Sequence, residues 1–288
     1  TLMAEYRHYV LPPFTPDRKT VEEFSKWFCN KVNVVISPTE EIKKELTRYG
    51  VERPIEVIPT GIDTLEFSTP AQKDIRRMYD IPANATLLMY AGRLAKEKNL
   101  NFLSRVVARY LKSNKAAWFL IVGDGPERKD IEKYFEDEGL SKRVTFTGYV
   151  PHDEMKDYYK ASNLFVFASL TETQGLVVLE ALASGTPVVA IAYKGVANVL
   201  KNGEGALTVD VDEEHFYESI QRALEKRDEL SKKGVKYVEE NWSMNAMVER
   251  LDEVYTKAIT EGFIDFYMPS VINTSLQLKL VTLFRKFI

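Results

Sequence analysis

Two glutamates, Glu172 and Glu180, lie in one short segment whose residue types could bind an anionic ligand rich in hydroxyl groups. Seven residues separate them, and Gly175 stands between them at the predicted start of a helix. The first N–H groups of a helix have no partner within it, so those of Gly175, Leu176 and Val177 could bind a phosphate. A carboxylate can accept two hydrogen bonds, which suits a vicinal diol. The segment could therefore hold a sugar at one end of a ligand and a ribose at the other.

The surroundings of Glu180 favour a functional interpretation of this segment. Its neighbours in the chain are apolar, namely Val178, Leu179, Ala181 and Leu182. A carboxylate among such residues is costly to bury unless it has partners. The simpler alternative is a surface position for Glu180 and an acidic helix start at Glu172.

Two cations, Arg93 and Lys98, follow a predicted strand further upstream. Arginine offers a fixed fork of donors to phosphate oxygens, and lysine offers a point charge. Gly92 precedes them and would let a ligand approach the backbone closely. Together they could neutralise a leaving diphosphate without a metal ion. A solvated basic turn is the alternative, because Lys96 and Glu97 lie in the same stretch.

Three further loops carry weaker signals. The turn 148–151 could present the backbone of Val150 to a nucleobase, although a plain β-turn is an equal alternative. The segment 123–126 resembles half of a dinucleotide fingerprint but lacks the third glycine, so it is weak evidence for NAD. The acidic pair in 210–212 precedes a helix and is explained by an N-cap, so no metal site is predicted there. His152 is interpreted as an ordinary loop residue.

The elements that must position these residues form a repeating pattern after residue 74. Short apolar runs predict strands at 87–91, 118–122, 144–147, 164–168, 188–192 and 207–209, with helices between them. Repeated strand–helix units predict an α/β fold with a doubly wound, Rossmann-like parallel sheet. The loops described above follow successive strands, so they meet at one edge of the sheet, where such folds bind ligands.

The first 65 residues indicate the C-terminal part of another Rossmann-like domain. They predict helices from Thr20 and Thr39, strands at 32–36 and 55–58, and a crossover at 59–63. Residues 66–262 then form the second predicted domain, and 263–288 form a C-terminal tail. Because the first strong element is a helix, we expect the N-terminal domain to be incomplete.

The composition limits the classes of function. With 288 residues, 45% of them apolar, the chain is typical of a globular protein, and its net charge of −3 gives no electrostatic case for nucleic acid. Its single cysteine, Cys29, excludes an internal disulfide, fits a reducing compartment and is expected in a small core. We therefore expect a cytoplasmic protein without a spanning helix.

These motifs together resemble the retaining glycosyltransferase family 4 of GT-B fold over residues 30–260. The resemblance rests on Glu172 and Glu180 with Gly92, Arg93 and Lys98 upstream, and on matching segments at 37–39, 59–63, 123–126 and 185–187. The resemblance implies that residues 66–262 are the nucleotide-sugar donor domain and that 1–65 are the remnant of an acceptor domain. Most of the family's acceptor domain is absent from this sequence, so this chain alone would be inactive as a transferase. Asn198 also departs from the family, whose members often carry an acid there.

The resemblance implies a role for each residue. Arg93 and Lys98 would bind the donor diphosphate and stabilise it as it leaves, and Glu172 would hold hydroxyls of the donor sugar. Glu180 would bind the ribose hydroxyls. The backbone of Val150 would meet the base. The backbone N–H groups of residues 175–177 would contact phosphate or sugar, and no metal or other cofactor would be needed.

The resemblance also implies a substrate class. The form Glu172-Thr173-Gln174-Gly175 is similar to that of bacterial glucosyltransferases acting on diacylglycerol, which implies a UDP-hexose donor, glucose, and a membrane glycolipid acceptor. The basic amphipathic tail, with Lys279, Arg285 and Lys286, would suit the inner face of a membrane or would pack back on the N-terminal part. A UDP-sugar epimerase of the same fold and a non-catalytic nucleotide-sugar-binding fragment remain the alternatives.

Overall fold

The chain is built around a six-stranded parallel sheet, seen here in a computed structural model that describes residues 16–260. The strands are β1 (Val35–Ser37), β2 (Ile55–Val57), β3 (Thr86–Ala91), β4 (Ala117–Val122), β5 (Val144–Gly148), β6 (Leu164–Phe167), β7 (Val188–Ile191) and β8 (Ala206–Val209). The large sheet has the order β5-β4-β3-β6-β7-β8, and all of its neighbours are parallel. The order reverses between β3 and β6, which is where doubly wound folds open a ligand crevice.

The strands of the large sheet form because their side chains are covered on both faces. Every residue of β6 and β7 is buried, and so are the last five residues of β3. Apolar runs without alternation are the pattern of a sheet covered on both sides. All six predicted strands of this sheet are therefore confirmed, with ends that differ by at most one residue.

Twelve α-helices connect and cover the strands within the described part of the chain. They are α1 (Arg18–Cys29), α2 (Glu40–Arg48), α3 (Thr64–Ser68), α4 (Ile75–Met78), α5 (Leu100–Ser113), α6 (Arg128–Asp137), α7 (Met155–Ala161), α8 (Leu176–Ala183), α9 (Gly195–Val199), α10 (Glu213–Glu225), α11 (Arg227–Trp242) and α12 (Met244–Thr260). Helix α5 packs against α6 and α10, and α8 packs against α7 and α11. Among the described residues, no helix is both long enough and apolar enough to span a bilayer.

The first part of the described chain forms a smaller unit in which β1 and β2 pair in parallel. Its core contains Val35, Ile42, Leu46, Val51 and Ile55. Cys29 packs at the edge of this core and is only partly buried, and that burial raises the pKa of its thiol. Cys29, which was predicted to lie in a core, thus lies at the edge of one.

Two predicted boundaries in this unit are wrong. Helix α1 begins at Arg18 rather than at Thr20, because the Asp17 carboxylate accepts hydrogen bonds from the N–H and the hydroxyl of Thr20 and caps the helix. Strand β1 begins at Val35, three residues later than predicted, because the residues after α1 form a turn that ends the helix.

The crossover predicted at 59–63 joins the smaller unit to the large sheet. Ile62 donates its N–H to the carbonyl of Trp242 (2.7 Å), and its carbonyl accepts from Met244 (3.0 Å). The crossover is therefore bonded to the junction between α11 and α12. The division of the chain at residue 65 stays a prediction, and the predicted tail, 263–288, lies outside the described residues.

Candidate functional site

A cleft lies at the carboxyl ends of β3 and β6, where the strand order of the sheet reverses. Its cavity volume is about 620 Å³. All of the predicted site residues except Val150 and Glu180 line it, namely Gly92, Arg93, Lys98, Glu172, Gly175, Leu176 and Val177. The opposite wall comes from the smaller unit and consists of Ile36, Pro38, Ile58 and Thr60. Of the loops that the sequence placed at one sheet edge, those after β3 and β6 line this cleft.

Lys98 and Glu172, a cation and a carboxylate that were both predicted as site residues, are bonded to each other. Lys98 Nζ lies 2.5 Å from Glu172 Oε1, and the two side chains are only 15% and 16% exposed. Lys98 ends a short 3-10 turn, Lys96–Lys98, that follows β3, whereas Glu172 lies in the loop that follows β6. The pair therefore spans the point at which the strand order reverses.

Arg93 belongs to a loop that is supported from below by a buried tyrosine. The hydroxyl of Tyr90 donates to the carbonyl of Arg93 at 3.2 Å, and the ring of Tyr90 stacks on Phe167. Burial holds the pKa of Tyr90 well above its usual value, so the hydroxyl stays a donor. The sequence did not indicate this support, because Tyr90 is indistinguishable there from an ordinary strand residue.

Helix α8 begins in the cleft wall. Gly175 precedes it, and Leu176 and Val177 form its first turn. Val178 donates its N–H to the carbonyl of Gly175 (3.1 Å), so the hydrogen bonds of the helix begin at that point. The first N–H groups of α8 are thus at the position where a helix can bind an anion.

Glu180 is buried within α8 and is held by two side chains. Its residue is 6% exposed, so the alternative of a surface position is wrong. The Tyr159 hydroxyl donates to Oε2 at 2.8 Å, and His152 Nε2 lies 3.2 Å from Oε1. Burial, and after it Glu180, raise the pKa of Tyr159, so this hydroxyl remains protonated. Glu180 does not line the cleft described above.

The turn after β5 lies beside Glu180 rather than in the main cleft. Val150 follows this strand, and His152 is the first residue of the 3-10 turn that comes next. His152 contacts Glu180 and sets its ring edge-on to Phe67, with 5.9 Å between ring centroids. The interpretation of His152 as an ordinary loop residue was therefore incomplete, and its spacing in the sequence carried no signal of this contact.

The glycines of the segment 123–126 serve loop packing. A Cβ on Gly123, whose φ is +127°, would lie 2.1 Å from the carbonyl oxygen of Gly92. Leu94 donates its N–H to the Asp124 carbonyl, and its own carbonyl accepts from Glu127, each at 2.9 Å. The resemblance to a dinucleotide fingerprint thus reflects the close approach of two loops at the sheet edge.

The acidic pair at 210–212 caps a helix, as predicted. The Asp212 carboxylate accepts the N–H of His215 at 2.7 Å at the start of α10. Across residues 16–260, no group of three His, Cys, Asp or Glu side chains is placed to hold a metal ion. Asn198, where the family often has an acid, donates its side-chain amide to the carbonyl of Lys194 at 2.9 Å.

The chain belongs to the group 1 glycosyl transferases. Residues 71–241, more than half of the chain, match that family, and residues 2–66 match glycosyltransferase family 4. The resemblance stated from the motifs is therefore confirmed.

Several curated relatives are similar over much of the chain. Alpha-monoglucosyldiacylglycerol synthase of Streptococcus pneumoniae is 28% identical over 283 residues, which is 96% of this chain and 61% of the relative. The synthase of the same name from Acholeplasma laidlawii is 28% identical over 74% of this chain and 56% of the relative. The chain thus spans about three fifths of the length of these proteins.

Solved structures confirm the predicted GT-B fold. Sucrose-phosphate synthase from Thermosynechococcus elongatus superimposes with a TM-score of 0.77 at 26% identity, covering 91% of this chain and 67% of that protein. Anabaena HepE, solved with UDP and glucose, gives a TM-score of 0.75 at 20% identity, covering 83% of this chain and 67% of HepE.

Proposed function

We propose that this chain carries the donor site of a transferase that moves a hexose, glucose, from a UDP-hexose to an acceptor with retention of configuration. The observation that carries the proposal is the Lys98–Glu172 pair in a cleft that also contains the start of α8. A cation and the first N–H groups of a helix can bind the diphosphate of such a donor, and a carboxylate can accept hydrogen bonds from its sugar hydroxyls.

In the proposed complex, the diphosphate lies between Arg93, Lys98 and the first turn of α8. The two cations stabilise the negative charge that develops on the diphosphate as it leaves, and no metal ion is required for this. Glu172 accepts hydrogen bonds from hydroxyls of the transferred sugar. Its bond to Lys98 supports this assignment, because sugar and phosphate are adjacent in the donor.

The nucleoside is proposed to lie toward the turn after β5. The Val150 backbone would meet the base, and Glu180 would accept the ribose hydroxyls. The contact between His152 and Glu180 supports this arrangement, since it brings the turn and the carboxylate together. Among residues 16–260, each Glu180 oxygen has one hydrogen-bond partner, and a carboxylate oxygen can accept a second hydrogen bond.

The proposed reaction is a front-side displacement. The bond between the anomeric carbon and the diphosphate oxygen breaks, and its electron pair leaves with UDP. The acceptor hydroxyl oxygen bonds to the same face of the sugar, and its proton passes to the leaving phosphate oxygen. Configuration is retained without a covalent enzyme intermediate.

A glycerolipid at a membrane surface is the proposed acceptor. Support comes from two relatives whose name is alpha-monoglucosyldiacylglycerol synthase and from the Glu-Thr-Gln-Gly form of residues 172–175. Removing residues 276–288 from the tail should then reduce binding to anionic vesicles. Unchanged binding would favour a tail that packs on the protein.

Calorimetric titration of the chain with UDP, GDP and ADP tests the proposed donor. We expect UDP to bind in preference to the other two, and Glu180→Ala to weaken it. Equal binding of the three nucleotides would contradict the assignment of the base, and unchanged affinity in Glu180→Ala would contradict the ribose role.

Added EDTA should leave UDP binding intact, and a large loss of UDP affinity would contradict the proposal that no metal is needed.

A further inference from the structure

The loop that carries Glu172 is bonded to the crossover through the side chain of Gln174. The Gln174 amide nitrogen donates to the carbonyl of Thr60 at 2.8 Å, and the Thr60 N–H donates to the Gln174 amide oxygen, also at 2.8 Å. Gln174 is 3% exposed while Thr60 is exposed, so these two bonds are partly buried. The side-chain amide thus pairs with the backbone of Thr60 as a neighbouring strand would.

A second contact joins the same loop to the smaller unit. The Thr39 hydroxyl lies 3.3 Å from the carbonyl of Thr173 and donates to it, while it also accepts the N–H of Ile42 at the start of α2. The loop that carries Glu172 is therefore contacted by two segments of the smaller unit that reach the cleft. These are the turn between β1 and α2 and the crossover.

The other side of the loop is fixed within the unit that is built on the large sheet, which carries the proposed donor site and is called the donor unit below. The Glu172 carbonyl accepts the N–H of Gly195 at 3.1 Å, and the Glu172 carboxylate binds Lys98. Gln174 stands two residues after Glu172 and directly before Gly175. A displacement of Thr60 would therefore move the Glu172 carboxylate, whereas the start of α8 is held by the bond from the Val178 N–H to the Gly175 carbonyl (3.1 Å).

We propose that Gln174 is a positioning residue that fixes the distance between the two walls of the cleft. One wall contains Thr60 and comes from the smaller unit, and the other contains Glu172 and the start of α8. This inference rests on the proposed function, because its consequence is for transfer: the acceptor must approach the anomeric carbon from one wall while the other holds the donor.

The proposal separates binding from turnover. The groups assigned to the nucleoside and diphosphate lie within the donor unit, so loss of Gln174 should change the UDP dissociation constant by less than about threefold. A misplacement of about 1 Å between reacting groups can lower a rate by about 100-fold. In a form of the protein that is active in transfer, we therefore expect kcat to fall by about ten- to 100-fold at a nearly unchanged KM for the donor.

Two variants test the pair directly. Gln174→Met keeps the length of the side chain but removes both polar groups, and Gln174→Glu keeps the acceptor for the Thr60 N–H. As a carboxylate, Glu cannot donate to the Thr60 carbonyl; as a neutral acid it can. The protection factor of the Thr60 amide against hydrogen exchange should therefore fall in the Met variant. In the Glu variant the protection factor should be lower than in wild type above the pKa of the introduced carboxyl group, where the bond to the Thr60 carbonyl is lost. It should rise again as the pH falls through that pKa, because the neutral acid can donate to this carbonyl.

The matched control is Gln72→Met, which makes the same replacement at an exposed position. It should leave both Thr60 exchange and kcat unchanged. Wild-type protection of Thr60 in Gln174→Met would overturn the inference, as would equal losses in UDP affinity and kcat. A wild-type chain that binds no UDP would contradict the proposed function, while Thr60 exchange would still decide whether the pair exists.

Discussion

At the scale of single residues, Lys98 binds the Glu172 carboxylate and is proposed to bind the donor diphosphate in the same cleft. Replacing Lys98 with Met should therefore weaken UDP far more than uridine, because only UDP carries the diphosphate. A hydrogen bond to a charged group contributes about 1.5–3 kcal/mol, which corresponds to about 10- to 150-fold in affinity for UDP. Calorimetric titration with both ligands measures the difference.

Lys96 provides the control for that variant. It lies in the same 3-10 turn as Lys98, is exposed and does not line the cleft. Lys96→Met removes the same charge from the turn and should leave the affinity for UDP within about threefold of wild type. Equal losses in the two variants, or equal losses for UDP and uridine in Lys98→Met, would show that Lys98 does not bind the diphosphate.

Tyr159 should be needed to keep Glu180 in place. Tyr159→Phe leaves Glu180 Oε2 without the 2.8 Å hydrogen bond that it accepts in a buried site. We expect the variant to lose about 1–3 kcal/mol of unfolding free energy, measured by urea denaturation at pH 7. UDP and uridine should weaken to a similar extent, because both contain the ribose assigned to Glu180.

The pH dependence of the same variant provides an internal check. Burial, and after it Glu180, raise the pKa of Tyr159 in the folded state, whereas in the unfolded chain it titrates near its ordinary value of about 10. The stability that depends on the protonated hydroxyl is thus fully present below about pH 10 and is lost as the pH rises above it. The difference between wild type and Tyr159→Phe should narrow above that pH. A constant difference would contradict the buried position of the hydroxyl.

At the scale of elements, substitution of Asp212 can test whether this residue caps α10 or binds a metal ion. Asp212→Ala removes the acceptor for the His215 N–H at the start of α10 and should cost about 1 kcal/mol of unfolding free energy. Asp210→Ala, which changes the neighbouring exposed carboxylate, should cost much less. Neither variant should change the affinity for UDP. A loss of UDP affinity in both, reproduced by EDTA in the wild type, would instead indicate a metal site.

The strands could be predicted because a parallel sheet covered on both faces requires continuous apolar runs, such as those of β3 and β6. Helix starts were harder, since Asp17 and Thr20 are both good N-caps and only the three-dimensional structure selects Asp17. The cleft residues were predicted because parallel strands place their carboxyl ends at one edge. The bond between Thr60 and Gln174 could not be, because 114 positions separate the two residues and neither has an unusual local pattern.

At the scale of the whole molecule, the two units of the described chain are joined at three places. Gln174 binds Thr60, Thr39 contacts Thr173, and Ile62 pairs with the α11–α12 junction. The first two contacts lie beside the cleft. The third holds the crossover, 59–63, to which Thr60 belongs. We therefore expect the position of one cleft wall to depend on a junction that contributes no residue to the cleft.

Gly61 is the residue at which this dependence can be tested. A Cβ added there would lie 2.7 Å from the Cα and 3.0 Å from the N of Met244, so the backbone of the crossover or of α12 must move. Gly61→Ala should lower the unfolding free energy by about 1–3 kcal/mol, as overpacking against fixed backbone does. It should also reduce the protection of the Thr60 amide while UDP affinity stays within about threefold. Ala83→Ser, an added atom at an exposed position, is the control, and unchanged Thr60 exchange in Gly61→Ala would show that the junction and the cleft wall move independently.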